Sequence, residues 1–289
     1  MMKQKLYGAL FILLFTLVIF QSCKVTQNYH LPPQDIKTDS LYRDVHTDDT
    51  TDFGQMSWRQ LFSPKLQALI AEAIANNYDL KVAEARIEQA QANFKQSKLA
   101  LLPSLDANAS AEAQHPSDVQ NTSKQLYQLY VNSSWEIDLW GKLKSATRAA
   151  LASLLQSEAY KRYVQTQLVS QIATDYYALL AYDAQLDLTI KTVANRKEDV
   201  TTVQALKNSD AATGADVVQA QANRYSAEVT IPDIKQNIRQ MENEICILTG
   251  RTPGPVDRDS LSAESVITSL PTGIPSQLLV NRPDIQEAE

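Results

Sequence analysis

Apolar residues recur at heptad spacing between residues 63 and 102. The positions seven apart are Leu66, Ala73, Leu80, Ile87, Phe94 and Leu101. A seam this narrow is typical of a coiled coil rather than of a helix on a globular core. It predicts one long helix over residues 63–102. Pro103 ends this helix because its ring and missing N–H break helical hydrogen bonding.

Two further heptad segments predict a long helical hairpin over residues 141–250. The first helix would run from about residue 141 to about residue 206, on the order of 100 Å at 1.5 Å per residue. Its seam is Val169, Ile172, Tyr176, Leu179, Leu186, Ile190, Val193 and Val200. The second helix has apolar residues alternately three and four apart: Ile231, Ile234, Ile238, Met241, Ile245 and Leu248. Gly250 is typical of a helix end, and Pro232 predicts a kink.

Small and polar residues separate these two helices. They are Asn208, Ser209, Asp210, Ala211, Ala212, Thr213 and Gly214. Such residues favour a turn, so residues 208–214 are predicted to be the tip of the hairpin. The heptads by themselves are also consistent with a plain structural stalk.

A strictly alternating pattern lies between the helical segments, within residues 103–140. Apolar and polar residues alternate from Ser104 to Gln114 and again from about Lys124 to Leu139. Each run reaches the roughly 9–11 residues that a tilted strand needs to cross a bilayer. The pattern therefore predicts a membrane β-hairpin with one face toward lipid and one toward water. The alternative is a surface hairpin that covers the core of a soluble protein.

Three aromatic residues fall toward the ends of the predicted hairpin. Tyr127 lies toward one end, and Trp135 and Trp140 lie toward the other. We interpret them as membrane-interface aromatics, because Tyr and Trp form girdles at both surfaces of a bilayer. One hairpin cannot close a barrel, so further strands would come from a longer chain, from other subunits, or from both.

The first residues have the pattern of a targeting signal. Lys3 and Lys5 precede an apolar run that is too short to span a bilayer, which predicts a signal peptide over residues 1–22. Ser22 and Cys23 suggest lipoprotein processing, with Cys23 acylated, for instance by palmitate; ordinary secretion is the alternative. Residues 23–62 would form a polar, lipid-anchored N-terminal arm. Lys24, rather than an aspartate, follows Cys23, and in the sorting rule of many Gram-negative bacteria this permits export of a lipoprotein to the outer membrane.

Composition narrows the function further. The chain has only 7 Gly, which favours long helices. Its formal charge of −6 and the lack of a basic stripe in the sequence argue against nucleic-acid binding. His30, His46 and His115 have no metal-ligand spacing. We therefore expect no enzyme activity, no catalytic residues, no cofactor and no metal. Cys246, on an apolar helix face, is interpreted as a buried small hydrophobe.

Several motifs, taken in order, resemble the outer-membrane efflux factors. The resemblance is to the TolC-like channel proteins, and in particular to their NodT/OprM-type lipoprotein branch. The motifs that carry it are CKVTQNYHLP, NYDLKVAEARIEQAQANFKQSKLALLPSL, WEIDLWGKLKSA, ATDYYALLAYDAQL and ILTGRTPG. The chain departs from the family pattern at Thr26 and Gln27, which replace Gly-Pro, and at Trp140 and Lys142, which replace Phe and Arg. The segment NYDLKVAE is echoed by NRPDIQEAE at 281–289. Residues 251–289 are therefore interpreted as a linker and the truncated start of a second structural repeat, so the resemblance covers an N-terminal half.

The resemblance implies a mainly α fold with a membrane β-hairpin. In a homotrimer, long antiparallel coiled-coil helices would form an α-barrel tube and the strands would contribute to one outer-membrane β-barrel. The protein would be a channel of a tripartite efflux system in the outer membrane, lipid-anchored, with a periplasmic helical extension. Its partners would be outer-membrane lipid, an inner-membrane pump and a periplasmic adaptor (membrane fusion protein) that contacts the tip at 208–214. The alternative is a lipid-anchored periplasmic coiled-coil spacer or adaptor without a pore.

Overall fold

The structure is a computed structural model that describes residues 57–114, 124–264 and 281–289. The predicted signal peptide, Cys23, the arm up to residue 56, the three histidines and the hairpin loop at 115–123 lie outside the described residues. The helices are α1 (Trp58–Leu61), α2 (Pro64–Asn76), α3 (Tyr78–Leu99), α4 (Lys142–Asn208), α5 (Gly214–Glu228), α6 (Thr230–Thr249) and α7 (Pro283–Ala288). The strands are β1 (Ser104–Gln114) and β2 (Lys124–Ser134). In this part of the chain, no helix combines the length and the apolar character that crossing a membrane requires.

The chain divides into two compact units. Among the described residues, the first contains residues 86–114 and 124–157, which include most of α3, both strands and the first turns of α4. The second contains residues 57–85, 158–264 and 281–289, which include α1, α2, the first turns of α3, the remainder of α4, and α5 to α7.

The core of the second unit is built from the seams of three helices. Its largest fully buried side chains come from α2, α4 and α6: Tyr176, Leu66, Ile70, Ile172, Leu179, Leu180 and Ile245. Within the predicted α4 seam, Val193 is also buried, whereas Ile190 is 49% exposed in the single chain. A straight helix drifts by about 20° per heptad against a seven-residue repeat. The seven-residue row that runs from Val169 through Tyr176 to Ile190 therefore turns away from the core.

Residues 63–102, predicted as one helix, form two helices, α2 and α3. Asn77 has a non-helical backbone (ψ 133°) between them, and its buried side chain caps α3. The side-chain oxygen accepts the backbone N–H of Asp79 at 2.9 Å and of Leu80 at 3.1 Å, and Nδ2 donates to the Leu248 carbonyl at 3.0 Å. One non-helical residue does not disturb the heptad phase, so periodicity alone could not show the break.

The ends of two predicted elements also differ from the structure. Helix α3 stops at Leu99 rather than at 102. A tighter turn follows, in which the backbone N–H groups of Leu101 and Leu102 donate to carbonyls three residues back, and Pro103 disfavours helical backbone at residue 102. Strand β2 stops at Ser134 rather than at Leu139. Its partner at that point is Ser104, the first residue of β1. Residues 135–139 continue the alternation without a paired strand in the part of the chain that the structure describes.

The helical hairpin contains the predicted turn and a division in its second arm. Helix α4 is continuous over 67 residues. The second arm is divided at Val229, three residues before Pro232. Proline has no N–H to donate to the carbonyl of the fourth residue before it, here Glu228, and its ring crowds that carbonyl. Gly250 ends α6 with a left-handed backbone (φ 70°), as predicted.

Cys246 is almost completely buried near the end of α6, which agrees with its interpretation as a small buried hydrophobe. Its Sγ lies 3.5 Å from the carbonyl oxygen of Gly254. The segment around Gly254, predicted as a linker, is thus packed against α6 within the second unit.

Replacing Asn77 with alanine tests the cap between α2 and α3. The change removes an N-cap, which costs about 0.5–2 kcal/mol, and leaves the Leu248 carbonyl without its side-chain donor. We expect the free energy of unfolding to fall by about 2 kcal/mol in total, measured by denaturant unfolding with far-UV circular dichroism. The control is Asn76→Ala, since Asn76 is exposed. Equal losses in the two variants would contradict the assignment.

Candidate functional site: the strand hairpin, its junction with α4 and the helical tip

The two strands pair in the register that keeps like faces together. Apolar residues lie opposite apolar ones in the pairs Ala107–Val131, Ala109–Leu129 and Ala111–Tyr127. Polar residues lie opposite polar ones in the pairs Asp106–Asn132 and Ser110–Gln128. A shift of one residue would exchange the faces of a strand. The observed register therefore makes a ribbon with one mainly apolar side and one mainly polar side, the latter also carrying Leu126 and Tyr130.

The apolar side of this ribbon is exposed in the single chain. Leu129 is 80% exposed, Leu105 is 75% exposed and Tyr127 is 72% exposed. An isolated two-stranded hairpin is at best marginally stable in water. An apolar face of this kind marks a surface that another protein or a membrane covers.

Acidic residues after β2 fasten the start of α4. The Asp138 carboxylate accepts the backbone N–H of Lys144 at 2.9 Å. This N–H belongs to the first turn of α4, which has no partner for it within the helix. The Glu136 carboxylate lies 2.8 Å from Lys142 Nζ and raises the pKa of that lysine. Neither acid was predicted from the sequence to cap the helix, although a carboxylate just before a helix is a recognisable capping signal.

Gly141 makes the bend between the strand and the helix. Its φ is +76°, in the left-handed region, and a Cβ there would have no atom within 4 Å. On the strand side, the Trp135 indole N–H donates to the Leu101 carbonyl at 3.2 Å, which ties the end of β2 to the chain just before β1. Trp135 and Trp140 are both exposed. Neither lies within a strand, whereas Tyr127 does.

The tip is a tight turn in which Asp210, and not Gly214, has the left-handed conformation. The φ of Asp210 is +60°, a conformation that Asp tolerates better than most residues. The backbone N–H of Ala211 donates to the Leu206 carbonyl at 2.9 Å. Gly214 is instead the first residue of α5. Of the predicted tip residues, all are exposed except Ala212, which is half-buried.

A capping box rigidifies the start of α5. The Asp216 carboxylate accepts the backbone N–H of Thr213 at 2.8 Å, and Thr213 Oγ1 accepts the backbone N–H of Asp216 at 3.3 Å. The hydrogen bond from the Thr213 backbone lowers the pKa of Asp216. Beside the tip, α4 and α5 border a shallow groove of about 310 Å³, lined partly by Arg196, Asp199 and Asn223. The tip is therefore an exposed polar surface with local hydrogen bonds.

Residues 69–251 match the Outer membrane efflux protein family. A probable efflux pump outer membrane protein of Pseudomonas putida, TtgC, is 29% identical over 292 residues, covering 95% of this chain and 59% of the relative. A probable outer membrane lipoprotein of Salmonella typhimurium, SilC, is 27% identical over 279 residues, covering 95% of this chain and 60% of the relative. The open-state Neisseria gonorrhoeae MtrE outer membrane channel has a similar structure, with a TM-score of 0.74 and 25% identity, covering 92% of this chain and 60% of that one.

The fold, with its long helices and exposed strand pair, is thus that of outer-membrane efflux channels. The chain belongs to the outer membrane efflux protein family, which confirms the resemblance inferred from its motifs. Proteins of this family are channels and not enzymes, and the match does not support the alternative of an adaptor. The chain spans about three fifths of the length of the relatives that it matches. In the described residues, no group of His, Cys, Asp and Glu could hold a metal ion.

Two glycine substitutions should have opposite effects on stability. Gly141→Ala forces a Cβ into a left-handed backbone conformation, which should lower the free energy of unfolding by about 1–2 kcal/mol. Gly214→Ala, in the first turn of α5 with open space around it, should raise that free energy by up to about 1 kcal/mol. Thermal unfolding of both variants checks this. A stable Gly141→Ala variant would show that the bend does not depend on Gly141.

Proposed function

We propose that the full-length protein is the outer-membrane channel component of a tripartite efflux system. It would conduct substrate passively to the outside after an inner-membrane pump and a periplasmic adaptor deliver it. The observation that carries the proposal is the hairpin with an exposed apolar face, in register, on a chain of the outer membrane efflux protein family. Lipid would cover the apolar face, and the polar face would line a water-filled lumen.

Closure of a barrel requires more strands than the two in the described part of the chain. Unpaired strand edges cannot face lipid, because each unsatisfied backbone group is costly there. We propose that three copies of the full-length protein combine their strands in one β-barrel and their long helices in one α-barrel tube. This homotrimer would lie in the outer membrane and extend into the periplasm, with acylation at Cys23 as an additional anchor.

The aromatic residues fit the two borders of such a membrane segment. Tyr127 and Trp135 are eight positions apart, which is about 26 Å along an extended chain and roughly 20 Å along the membrane normal at a strand tilt of about 40°. The apolar band of outer-membrane barrels is about 25 Å tall. Tyr127 would lie at the outer border, and Trp135 and Trp140 at the periplasmic border. The junction from Glu136 to Lys144 would then join the barrel to the tube.

Arginine substitutions on the two faces of β2 test the membrane assignment. Leu129→Arg puts a charge on the lipid face near mid-strand and should destabilise the inserted state by about 2–4 kcal/mol. Gln128→Arg, on the polar face of the same strand, is the matched control and should insert normally. The measurements are the yield of trimer in the outer-membrane fraction and single-channel conductance in planar bilayers. Equal insertion of both variants, or a wild-type protein that does not conduct, would overturn the proposal.

The tip at 208–214 is proposed as the contact surface for the adaptor. The double variant Asp210→Asn/Gly214→Gln removes a charge and adds bulk, while Asn tolerates the left-handed backbone and Gln has open space at position 214. We expect the affinity for the adaptor, measured by surface plasmon resonance, to weaken by about tenfold or more. The yield of trimer should not change. Thr201→Ala, at an exposed α4 position short of the tip, is the control. Unchanged binding in the double variant would exclude the tip as the contact.

A further inference from the structure

Arg258 joins two helices that belong to different arms of the helical hairpin. Its Nε and Nη2 donate to the two carboxylate oxygens of Asp183 in α4, the latter at 3.0 Å. Its Nη1 donates to Glu242 Oε1 in α6 at 2.6 Å and to the Val256 carbonyl at 2.9 Å. The side chains of Arg258 and Glu242 are only 17% and 15% exposed. One guanidinium thus bridges α4 and α6 in a partly buried site.

The residues on either side of Arg258 bind a third helix. Lys65 Nζ, in α2, lies 3.0 Å from a carboxylate oxygen of Asp257 and 3.0 Å from one of Asp259. It also donates to the Arg258 carbonyl at 3.3 Å. Successive side chains of the tripeptide Asp257–Arg258–Asp259 therefore contact α2 on one side and α4 with α6 on the other. We call this tripeptide, with its partners Lys65, Asp183 and Glu242, the clasp.

The electrostatics of the clasp favour specificity over stability. The hydrogen bonds to Asp183 raise the pKa of Arg258, so its charge is permanent. Without Arg258, two partly buried carboxylates would face each other without a cation. A buried ion pair often adds little net stability, because desolvation offsets the Coulomb attraction, but it can select one arrangement among several. The planar fork of arginine matches a carboxylate in one orientation, which the ammonium of lysine cannot do.

The two ends of the hairpin differ in how firmly they are held. Near the clasp, α6 buries Ile234, Ile238, Ile245, Cys246 and Thr249. Beyond the division at Val229, α5 buries only Val217 among its described side chains. Segments with few buried contacts open at lower free energy than the rest of a structure. The base of the hairpin is therefore fixed more strongly than its tip.

We propose that Arg258 is a positioning residue that fixes the register of α4 against α6 at the base of the hairpin. The proposal rests on the contacts of Arg258 with α4 and α6 and does not depend on the proposed channel function.

Hydrogen exchange of the full-length protein tests the positioning role. In Arg258→Met, amides of α4 around Asp183 and of α6 around Glu242 should exchange about tenfold faster or more than in wild type. The exchange rates of the same amides in Arg258→Lys should lie between those of Arg258→Met and wild type. Lys65→Met is the control, because it removes only the outer part of the clasp and should accelerate these amides by about threefold at most. Unchanged exchange in Arg258→Met would overturn the proposal, and so would an equal effect of Lys65→Met.

A neutral triple variant separates positioning from simple charge compensation. Arg258→Met/Asp183→Asn/Glu242→Gln removes all three charges, so no carboxylate is left unpaired. We expect its thermal stability to return to that of wild type, while exchange in α4 and α6 stays fast, because the fork is absent. If the triple variant also recovers slow exchange, Arg258 only neutralises charge and does not position the helices.

Discussion

The apolar seam shared by α2, α4 and α6 is the constraint on which the second unit depends. Tyr176, Ile172 and Leu179 from α4 are fully buried there, against Leu66 and Ile70 from α2 and Ile245 from α6. Burial of side chains of this size contributes about 1.5–3 kcal/mol each. Because the seam fixes which faces of the helices meet, it also decides where the polar side chains of α4 and α6 can reach one another.

The strand hairpin obeys a different constraint, since its order cannot come from a core beneath it. Its apolar residues face outward in the single chain, and only the pairing of β1 with β2 holds them on one side. The junction after β2 joins this ribbon to α4. There Gly141 supplies the bend, Asp138 caps the helix, and Trp135 ties the end of β2 to the Leu101 carbonyl just before β1. The two tryptophans thus flank a bend whose geometry depends on a glycine and two acids.

Much of this architecture follows from sequence periodicity. Seven-residue spacing predicted the long helices, and two-residue alternation predicted both strands, because each period reflects the backbone geometry of one kind of element. Glycine and proline predicted several boundaries for the same local reason, as with Gly250 and the division near Pro232. The family motifs added the class of protein. Local pattern could not predict the end of β2 at Ser134, because a strand ends where its partner does, and the partner begins at Ser104.

The sequence by itself therefore determined the types of element, the faces that they bury or expose, and the family. The tertiary structure alone decided which polar residues meet. Asn77 is an ordinary residue within a heptad run until the Leu248 carbonyl, 171 positions away, lies beside it. Arg258 lies 75 positions from Asp183, and Lys65 lies 192 positions from Asp257. Hydrogen bonds and ion pairs require approach to within a few ångströms, and no local period contains that information. Only the packed seam brings these partners together.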